Sequence, residues 1–409
     1  MTTNTPTTAT CQYCGLTQQL PAMDADSKAV CSRCQSVLYH KTNDTKQRTL
    51  ALAITGIILF IIANSYPFLS MDLEGRVQET TLLTGMIWLF KHNMLGLSVL
   101  VIGTSVIVPL LQLSSLIYIL LPMQFGKLAP KTEVVLRVLR HAMPWSMMEV
   151  FLLGILVSMI KLTKMAIITP GIAIWAYSAL IVVLISAIAG FNPDDVWCRI
   201  PVQPSDADQD ACKDSCMITC HSCSLESAAS IERKTVCPRC GCGLHHRKPN
   251  SLQRTTALVV AAIILYIPAN LLPITISSKL GVAHPDTILS GAIHFMMTGA
   301  WHIALIIFVA SILIPLIKLI TLSYLLISIR FRHQWKPEAR TRLYRFTEAV
   351  GRWSMVDVFV VTVLVALVQL EPFALVEAGS GVAYFAAVVV ITMIAAESFD
   401  PRLIWDQKD

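Results

Sequence analysis

The sequence predicts an all-α integral membrane protein with two tandem copies of a four-helix transmembrane unit, each preceded by a small cytoplasmic zinc ribbon. Three observations predict this fold. The chain is written twice, each copy carries four membrane-length apolar segments, and each copy opens with four cysteines in two CxxC pairs. Hydrophobic residues make up 55% and charged residues 14% of the chain, and the mean hydropathy is +0.62. A soluble domain of this length is far more polar.

The duplication runs without gaps over long stretches. Residues 81–122 align onto 287–328 at a shift of 206 positions, and CSRCQSVLYH, which begins at Cys31, matches CPRCGCGLHH at the same shift. After a slip of two residues, PWSMMEVF at 144–151 falls on RWSMVDVF at 352–359. Such a duplication predicts two copies of one structural unit, so any difference between the copies is a clue to function.

Eight apolar segments are separated by the charged residues. At a rise of about 1.5 Å per residue most of them can cross a hydrocarbon core of about 30 Å, and the last two are marginal. Buried helices of a large soluble protein are the alternative, but too little polar sequence remains to coat eight of them. The segments cover about 50–71, 95–122, 146–168, 171–190, 257–276, 301–329, 354–370 and 381–398.

The placement of lysine and arginine predicts the orientation. With a cytoplasmic N-terminus, the inside segments hold 26 of the 32 basic residues, while the outside segments keep only Arg76, Lys91, Lys161, Lys164 and Lys279. This bias places both termini in the cytoplasm. The first apolar segment lies behind a cysteine module, so we expect an anchor and not a cleaved signal peptide. The net charge of +6 follows from the same bias and requires no nucleic-acid partner.

The cysteine spacing predicts two tetrahedral zinc sites. The first set is Cys11-x2-Cys14 and, sixteen residues later, Cys31-x2-Cys34; the second is Cys220-x2-Cys223 and, thirteen residues later, Cys237-x2-Cys240. Each pair forms a tight knuckle that offers two thiolates about 2.3 Å from one metal. Gly15 and Gly241 follow the second cysteine of a pair, where a knuckle turn often needs positive φ. Because each module is too small for its own core, the metal supplies its folding energy.

Two other uses of these pairs stay open. A thioredoxin-like redox CxxC would need a βαβ context, which these short, turn-rich flanks do not offer, and iron in a rubredoxin-like site is chemically possible. Cytoplasmic placement disfavours disulfides. We expect the two ribbons to dock to each other or to the membrane face. The four remaining cysteines, which we interpret as structural or incidental, are Cys198, Cys212, Cys216 and Cys242.

Polar residues inside the spans give a further functional hint. Lys318, Asp357 and Thr392 lie at similar depth in the inner half of the bilayer, where an unpaired charge costs several kcal/mol. We therefore expect a Lys318–Asp357 pair with Thr392 as hydrogen-bond partner. The matching positions of the first copy hold Gln112 and Glu149, which can hydrogen-bond but form no ion pair, so the second copy is expected to hold the proton-sensitive network. Alternatively, the pair only fixes helix register.

No catalytic constellation is found: the sequence has no Gly-rich phosphate loop, no GxSxG and no HExxH. We therefore expect a carrier, channel or assembly subunit and not an enzyme. The outside loops, at about 72–94 and 277–300, are each expected to form a small β-ribbon or cap. The predicted domains are an N-terminal zinc ribbon (1–46), a four-helix unit (47–195), a second zinc ribbon (196–252), a second four-helix unit (253–400) and a cytoplasmic tail (401–409).

These motifs resemble the paraquat-inducible protein A family. The shared features are twin CxxC…CxxC ribbons, each followed by four membrane helices, with AN-x-x-P after the first helix and W-S-M-x-[DE]-V-F opening the third. The resemblance implies an inner-membrane protein of a Gram-negative bacterium that works with a membrane-anchored MCE-domain protein. That partner forms a tunnel across the periplasm, and the family is implicated in moving phospholipid between the two membranes and in envelope integrity. Each four-helix unit is implied to be similar to the tetraspanin or claudin-like superfamily, with a small periplasmic β-element.

Carried over by position, the resemblance implies that the eight CxxC cysteines are zinc ligands and that Lys318, Asp357 and Thr392 form an intramembrane polar cluster. The leading expectation is a lipid-trafficking subunit, whose two units form a cleft open to the outer leaflet or periplasm. This cleft would hand lipid to the mouth of an MCE tunnel, with protonation of the Lys318/Asp357 network coupled to opening. The alternatives are a membrane thiol redox enzyme or sensor that uses the CxxC pairs, and a scaffold that only anchors the tunnel.

Overall fold

The computed structural model repeats one order of elements twice, and its described residues include eight helices long and apolar enough to cross a membrane. The predicted fold class of two tandem four-helix units, each behind a four-cysteine module, is therefore confirmed. The structure describes residues 8–20, 27–40, 46–73, 76–162, 167–202, 215–230, 236–245, 247–279, 282–297, 299, 301–331, 336–370 and 374–406.

Among the described residues each half has four spans, with three further helices in the first half and two in the second. In the first half the spans are α1, α3 with α4, α6 and α7; in the second they are α9, α11 with α12, α14 and α15. The helices of the first half are α1 (Lys46–Ser65), α2 (Leu82–Lys91), α3 (Leu95–Ile102), α4 (Val108–Gln124), α5 (Thr132–Ala142), α6 (Met148–Leu162), α7 (Ile172–Gly190) and α8 (Pro193–Trp197). Those of the second half are α9 (Ser251–Leu271), α10 (Ile288–Met297), α11 (Trp301–Phe308), α12 (Ile314–Arg330), α13 (Pro337–Val350), α14 (Val356–Leu367) and α15 (Ser380–Ser398).

The second span of each half contains a π-helical turn. It covers Gly103–Ile107 between α3 and α4, and Val309–Leu313 between α11 and α12. Pro109 and Pro315 follow these turns at equivalent positions. A proline has no amide hydrogen, and its ring clashes with the carbonyl four residues earlier, so a wider turn just ahead of it relieves both problems. The duplicated prolines thus account for a duplicated irregularity in the helix.

Small antiparallel sheets cap the end of the bundle at which α1 and α9 finish. The first is three-stranded, in the order β6-β5-β7, and the second is four-stranded, in the order β11-β10-β13-β12. We call this end the sheet face; it carries the β-elements expected in the outside loops. The strands are β5 (Leu69–Leu73), β6 (Arg76–Thr80), β7 (Ile167–Pro170), β10 (Thr275–Lys279), β11 (Val282–Asp286), β12 (Gln369–Leu370) and β13 (Ala374–Ala378).

Four predicted spans run past the end of the helix that forms. The apolar segments of α1, α6, α9 and α14 run on into strands β5, β7, β10 and β12. Apolar content predicts burial but does not distinguish a buried strand from a buried helix, so hydropathy alone could not place these ends. The strands also need a close approach to the next span. A Cβ at Gly171 would lie 2.1 Å from the Pro67 carbonyl oxygen, and one at Gly379 would lie 2.2 Å from that of Pro273.

The two units share one hydrophobic core, because α14 of the second packs against α2 and α6 of the first. The rings of Phe151 and Phe359 meet edge to face at 5.3 Å between centroids. Beside them Gly154 lies so close to Phe359 that an added Cβ would be 2.9 Å from the Phe359 Cβ. The Ser158 hydroxyl also donates to the Val360 carbonyl at 3.3 Å. Edge-to-face rings, small residues and hydroxyl groups are the usual means by which membrane helices pack closely.

Candidate functional site

The eight CxxC cysteines form two compact clusters. In each cluster the four sulfur atoms all lie within 4.8 Å of one another. The Cys11–Cys34 and Cys14–Cys31 sulfurs are 3.5 Å apart. In the second cluster the Cys220–Cys240 and Cys223–Cys237 sulfurs are 3.4 Å apart. These separations are far longer than a disulfide bond of about 2.05 Å and close to the edge of about 3.8 Å expected for four sulfurs around one zinc ion.

Short hairpins bring each pair of cysteines to its cluster. The first module has two hairpins and the second has one hairpin plus an isolated bridge between Val236 and Gly243. Each CxxC closes a turn in which the residue after the second cysteine donates its amide to the carbonyl of the first, as Gly15 does to Cys11 at 2.9 Å. The strands are β1 (Thr8–Thr10), β2 (Thr17–Gln19), β3 (Lys28–Val30), β4 (Val37–His40), β8 (Ser215–Thr219) and β9 (Glu226–Ser230).

All four knuckle turns need a left-handed residue at the same place. Gly15 and Gly241 have φ of 72° and 66°, as their position in the sequence predicts. Gln35 and Ser224 occupy the equivalent positions of the other two knuckles at φ of 57° and 55°, although neither is a glycine. Such a conformation costs a non-glycine residue of order 1 kcal/mol or more, so the rest of the turn must hold it in place. A knuckle whose two cysteines bind a metal ion would be held in this conformation.

The cysteine thiols perturb one another because they share buried space. Hydrogen bonds with Cys223 and Cys240 lower the pKa of Cys220 well below its usual range. The same contacts raise the pKa of Cys240, and the hydrogen bond with Cys220 raises the pKa of Cys223 to about 12. Four thiols this close therefore do not all ionise on their own. A bound divalent cation is the group that lets all four become thiolates, so the donor set fits a soft metal such as zinc or iron.

The first ribbon buries its cysteines against the second transmembrane unit, and it touches its own unit through hydrogen bonds from Arg140 to Gln12 and from Asn192 to Tyr39. Its cysteines share a buried cluster with Leu322, Tyr344 and Phe399 of the second unit. The Arg33 guanidinium lies over the Trp405 ring at 4.4 Å. Other contacts of the same interface are the Tyr13–Tyr344 ring pair at 6.4 Å, the Tyr13 hydroxyl donating to Glu348 at 3.4 Å, and Arg402 Nε donating to the Gln12 carbonyl at 3.4 Å.

The second ribbon docks on the first transmembrane unit, which completes a crosswise exchange. Its four cysteines share a buried cluster with α5 and with the ends of α1 and α4 that lie opposite the sheet face. On α5, Arg137 donates to the carbonyl of Cys240 and Arg140 donates to the carbonyl of Ser222 at 2.9 Å. The two ribbons also touch, since the Thr219 hydroxyl donates to Thr10 at 3.2 Å. We call the end of the bundle that carries both ribbons the ribbon face.

The cysteines outside the clusters differ in their surroundings. Cys198 is exposed, and Cys242 is half-buried beside the second cluster, where its carbonyl accepts from the Cys237 amide at 2.7 Å. Cys216 lies within β8, and Cys212 is outside the described residues. Among the residues that the structure describes, neither Cys198 nor Cys242 joins a group able to hold a metal ion.

Lys318 and Gln112 fill the same role in the two units. Lys318 is 1% exposed, and its Nζ donates to the carbonyl of Gly351 at 3.4 Å. Gln112 is fully buried and its Nε2 donates to the carbonyl of Ala142 at 3.3 Å. Both carbonyls lie where an amphipathic helix, α13 or α5, ends just before the third span. Each side chain therefore donates to a carbonyl at the end of the interrupted helix, where intrahelical partners are missing; the Gly351 carbonyl also accepts from the Ser354 hydroxyl at 2.8 Å.

Asp357 and Thr392 have local partners. Asp357 lies beside the Ser311 hydroxyl in the π turn and interacts electrostatically with Lys161 of α6, which belongs to the first unit. The Thr392 hydroxyl donates to the Val389 carbonyl in its own helix at 2.9 Å. Lys318 and Asp357 both lie in the described part of the chain, and no ion pair joins them there. A proton-sensitive role for this set of residues stays a prediction.

Gln112 and Glu149 meet at a cavity of about 310 Å³ near the ribbon face. Glu149 is exposed in the structure, and the lining also includes Arg352 from the second unit. Sequence reasoning passed over Arg352, Gly351 and Ser311. The available signal was their position: Gly351 and Arg352 directly precede the W-S-M step, and Ser311 has an equivalent serine, Ser105, in the first copy.

Known proteins similar to this chain carry names that describe transport between membranes. A family model described as "Paraquat-inducible protein A" matches residues 46–201 and 252–409. "Intermembrane transport protein PqiA" of Escherichia coli strain K12 is 34% identical over 407 residues, which cover 97% of this chain and 95% of that protein. "Lipophilic envelope-spanning tunnel protein A" of the same strain is 31% identical over 398 residues, 97% of this chain and 90% of that protein. "Probable intermembrane transport protein" of Haemophilus influenzae is 28% identical over 400 residues, 97% of this chain and 95% of that protein. No solved structure matches the chain.

Proposed function

This chain belongs to the paraquat-inducible protein A family, and on that premise we propose that it is a membrane subunit of an intermembrane lipid transport system. It would pass phospholipid between the inner membrane of a Gram-negative bacterium and a periplasm-spanning MCE-domain tunnel, toward or from the outer membrane, and so contribute to envelope integrity. It is not an enzyme in this proposal. The observation that carries it is the similarity along 97% of the chain to proteins named for intermembrane transport and for an envelope-spanning tunnel.

The orientation in this proposal puts the ribbon face in the cytoplasm and the sheet face in the periplasm. It is supported by the bias of basic residues toward segments that lie at the ribbon face, including both termini. The two sheets then offer polar backbone and short loops to a periplasmic partner. An MCE-domain protein seated on them would meet the outer ends of all eight spans.

A lipid path is supported by an asymmetry between the two units. Gly85 of α2 packs against α14, where an added Cβ would lie 2.8 Å from the Thr362 carbonyl oxygen. Gly291 is the equivalent residue of α10, and an added Cβ there would meet nothing within 4 Å among the described residues. Met296 and Met297, at the end of α10, are 63% and 83% exposed. In the first unit this side of α2 is covered by α14. The equivalent side of α10 in the second unit is open among the described residues, and we propose that lipid enters there.

The two cysteine clusters are proposed to be structural zinc sites. Four cysteine sulfurs at this separation suit zinc, and the sites would hold the ribbons in the crosswise arrangement that joins the units. Metal analysis of the purified protein tests the assignment, with two zinc ions per chain expected and two irons contradicting it. A thiol redox role predicts instead that the eight cysteines react with an alkylating reagent without a chelator. Zinc-bound thiolates resist the reagent until the metal is removed.

We propose that the energy source of lipid transport is protonation, and that Lys161 and Asp357 take part in it. They come from different units and interact across the shared core, and the chain has no nucleotide-binding motif. Protonation of Asp357 would remove that attraction and loosen the contact between α6 and α14. In this proposal Lys318 and Thr392 belong to the same proton-sensitive network. If Asp357→Asn leaves lipid transfer unchanged across the pH range, this part of the proposal fails.

Photo-cross-linking in cells tests the lipid path. A photoreactive residue would replace Gly291 and, as the matched control, Gly96 of α3, since an added Cβ at either position has no described residue within 4 Å. We expect phospholipid adducts at position 291 whose yield changes when the partner protein is absent, while adducts at position 96 report bulk lipid and stay constant. Equal yields at both positions, unaffected by the partner, would favour a scaffold that only anchors the tunnel.

A further inference from the structure

A cavity of about 760 Å³ lies between the two units near the ribbon face. Its walls come from α12, α13 and α15 of the second unit and from the Met143–Trp145 turn of the first, and Tyr13 of the first ribbon closes one side. Ligand sites in proteins typically measure about 300–1,000 Å³, so this volume can hold a ligand headgroup. The cavity is distinct from the sheet-face opening beside Gly291, because it lies at the other end of the bundle.

Cationic side chains dominate the polar part of this cavity. Lys318, Arg342, Arg345 and Arg352 line it, against the two carboxylates of Glu348 and Glu397. Glu348 accepts a hydrogen bond from the Tyr13 hydroxyl at 3.4 Å, so its negative charge is already partly compensated. The lining thus carries an excess of positive charge in a half-open cavity whose deepest cation, Lys318, is buried, and electrostatic attraction is stronger there than at a flat surface.

Most of these cations have hydrogen-bonding capacity to spare. Lys318 is 99% buried and uses one of its three N–H groups on Gly351; in the described part of the chain the other two have no acceptor. Arg345 lies over the Tyr13 ring at 5.6 Å, and among the described residues neither it nor Arg352 donates a hydrogen bond. A buried ammonium that lacks acceptors is costly unless an anion completes its shell. The site therefore points to an anionic ligand.

The first unit lacks this set of charges, so the charged cavity is not simply a packing feature that both units share. The positions equivalent to Lys318, Arg342 and Arg352 hold Gln112, Val134 and Pro144. Arg137 is equivalent to Arg345, but it donates to the Cys240 carbonyl and so holds the second ribbon. The smaller cavity of the first unit is lined by the Glu149 carboxylate together with Arg352, without an excess of positive charge.

Apolar groups complete the lining and decide which anion fits. Trp145, Phe346 and Met393 share the cavity with the cations, and Phe346 is 53% exposed. Phosphate is the anion that arginine pairs and a lysine bind best, and an adjoining apolar wall suits a ligand with an acyl chain. Resting on the proposed function, we propose that this cavity binds the phosphate of an anionic phospholipid drawn from the leaflet at the ribbon face, with its chains along Phe346 and Met393. It is a second lipid site, with a preference for net negative headgroups.

Lipid photolabelling of the purified full-length protein tests this proposal. The probes are phosphatidylglycerol and phosphatidylcholine with the same photoreactive acyl chain, and the labelled peptides are identified by mass spectrometry. We expect phosphatidylglycerol to label the peptides that contain Trp145 and Phe346. The double substitution Arg345→Gln and Arg352→Gln should lower that yield by roughly tenfold, because two charge-assisted hydrogen bonds are lost. Arg330→Gln is the matched control, since Arg330 is an exposed cation of α12 outside the cavity.

The outcomes separate this site from the transport proposal. Equal labelling by the two lipids, or labelling that survives the double substitution, overturns the proposal. Displacement of the lipid by millimolar inorganic phosphate alone would show a phosphate site and overturn the assignment to lipid. Lys318→Gln, which copies the first unit, keeps the test valid should the double variant unfold, and it should also weaken labelling. Phosphatidylglycerol bound in the cavity without partner-dependent adducts at position 291 would support this site and contradict the transport path.

Discussion

At the scale of single residues, close approach between the units depends on positions without side chains. Gly154 and Gly85 both lie where a Cβ would reach the backbone or Cβ of α14 at less than 3 Å. Gly351 likewise makes room for Lys318, whose Nζ would be 3.2 Å from an added Cβ. The first copy has Met143 at that position and the shorter, uncharged Gln112 opposite it. The sequence alone does not show which residue packs against a given glycine, so these contacts could not be predicted.

We predict that Gly154→Leu separates the two units. The new side chain would meet Phe359 and Val360 on α14, and overpacking of this kind typically costs about 1–3 kcal/mol. Thermal unfolding in detergent should show a lower Tm. Gly96→Ala is the control, because space is open there, and its Tm should stay within error of the unchanged protein. A Gly154→Leu protein as stable as the control would mean that α6 and α14 are not held this closely.

At the scale of elements, each ribbon is too small to be stable on its own core, so we expect its stability to depend on a metal held by the four cysteines. Apart from hydrogen bonds of Gln18 to Val30 and Ser32 in the first ribbon, the parts of each ribbon are joined at the cysteine cluster, and one knuckle of each ribbon holds a non-glycine residue at positive φ. The cysteine spacing predicted these clusters because a CxxC knuckle is a local structure that its own residues define. The strands at the sheet face were predicted only coarsely, since the apolar segments of the helices before them run on into their first residues, and apolar content does not distinguish a helix from a buried strand.

We predict that Cys223→Ser removes one metal ion per chain and unfolds the second ribbon. A three-sulfur site binds a tetrahedral metal weakly, and metal binding supplies the folding energy of so small a module. Elemental analysis should fall from two metal ions to one, and the other cysteines of that cluster should become reactive toward an alkylating reagent. Cys198→Ser, at an exposed cysteine outside the cluster, should keep both ions. Retention of both ions by Cys223→Ser would contradict the four-sulfur site.

At the scale of the whole molecule, the ribbons tie the two units together. Each ribbon precedes one unit in sequence and packs on the other, so the units are joined through the core and through both ribbons. Loss of one metal is therefore expected to loosen the unit on the opposite side of the bundle. The cavity with an excess of positive charge lies next to the docked ribbons, and Tyr13 of the first ribbon forms part of its wall. Folding of this ribbon and the shape of the cavity are therefore linked.

We predict that Trp405→Ala releases the first ribbon from the second unit. The substitution removes the ring under Arg33 and the hydrogen bond from Trp405 Nε1 to the Thr341 hydroxyl at 2.9 Å. Loss of a buried tryptophan should favour local opening by about 3 kcal/mol, or roughly a hundredfold. Hydrogen exchange of residues 8–40 should speed up accordingly. Trp175→Ala, at a ring that is 70% exposed, should leave that exchange unchanged. Faster exchange in the second ribbon alone would contradict the crosswise arrangement.

The sequence by itself determined the features that depend on local pattern: eight spans, a duplication, two four-cysteine clusters and the positive φ of Gly15 and Gly241. Hydropathy, repeat spacing and turn chemistry are properties of neighbouring residues, so one chain is enough to read them. Only the tertiary structure decided the features that join distant segments. It placed each ribbon on the opposite unit, gave Lys318 a carbonyl partner in place of Asp357, and gathered Arg345, Arg352 and Lys318 around one cavity. The two copies are alike even at the contact positions, since Trp197 is equivalent to Trp405 and Arg239 to Arg33, so local preferences do not tell a ribbon which unit to pack on. That choice depends on contacts between segments far apart in sequence, which exist only in the folded chain.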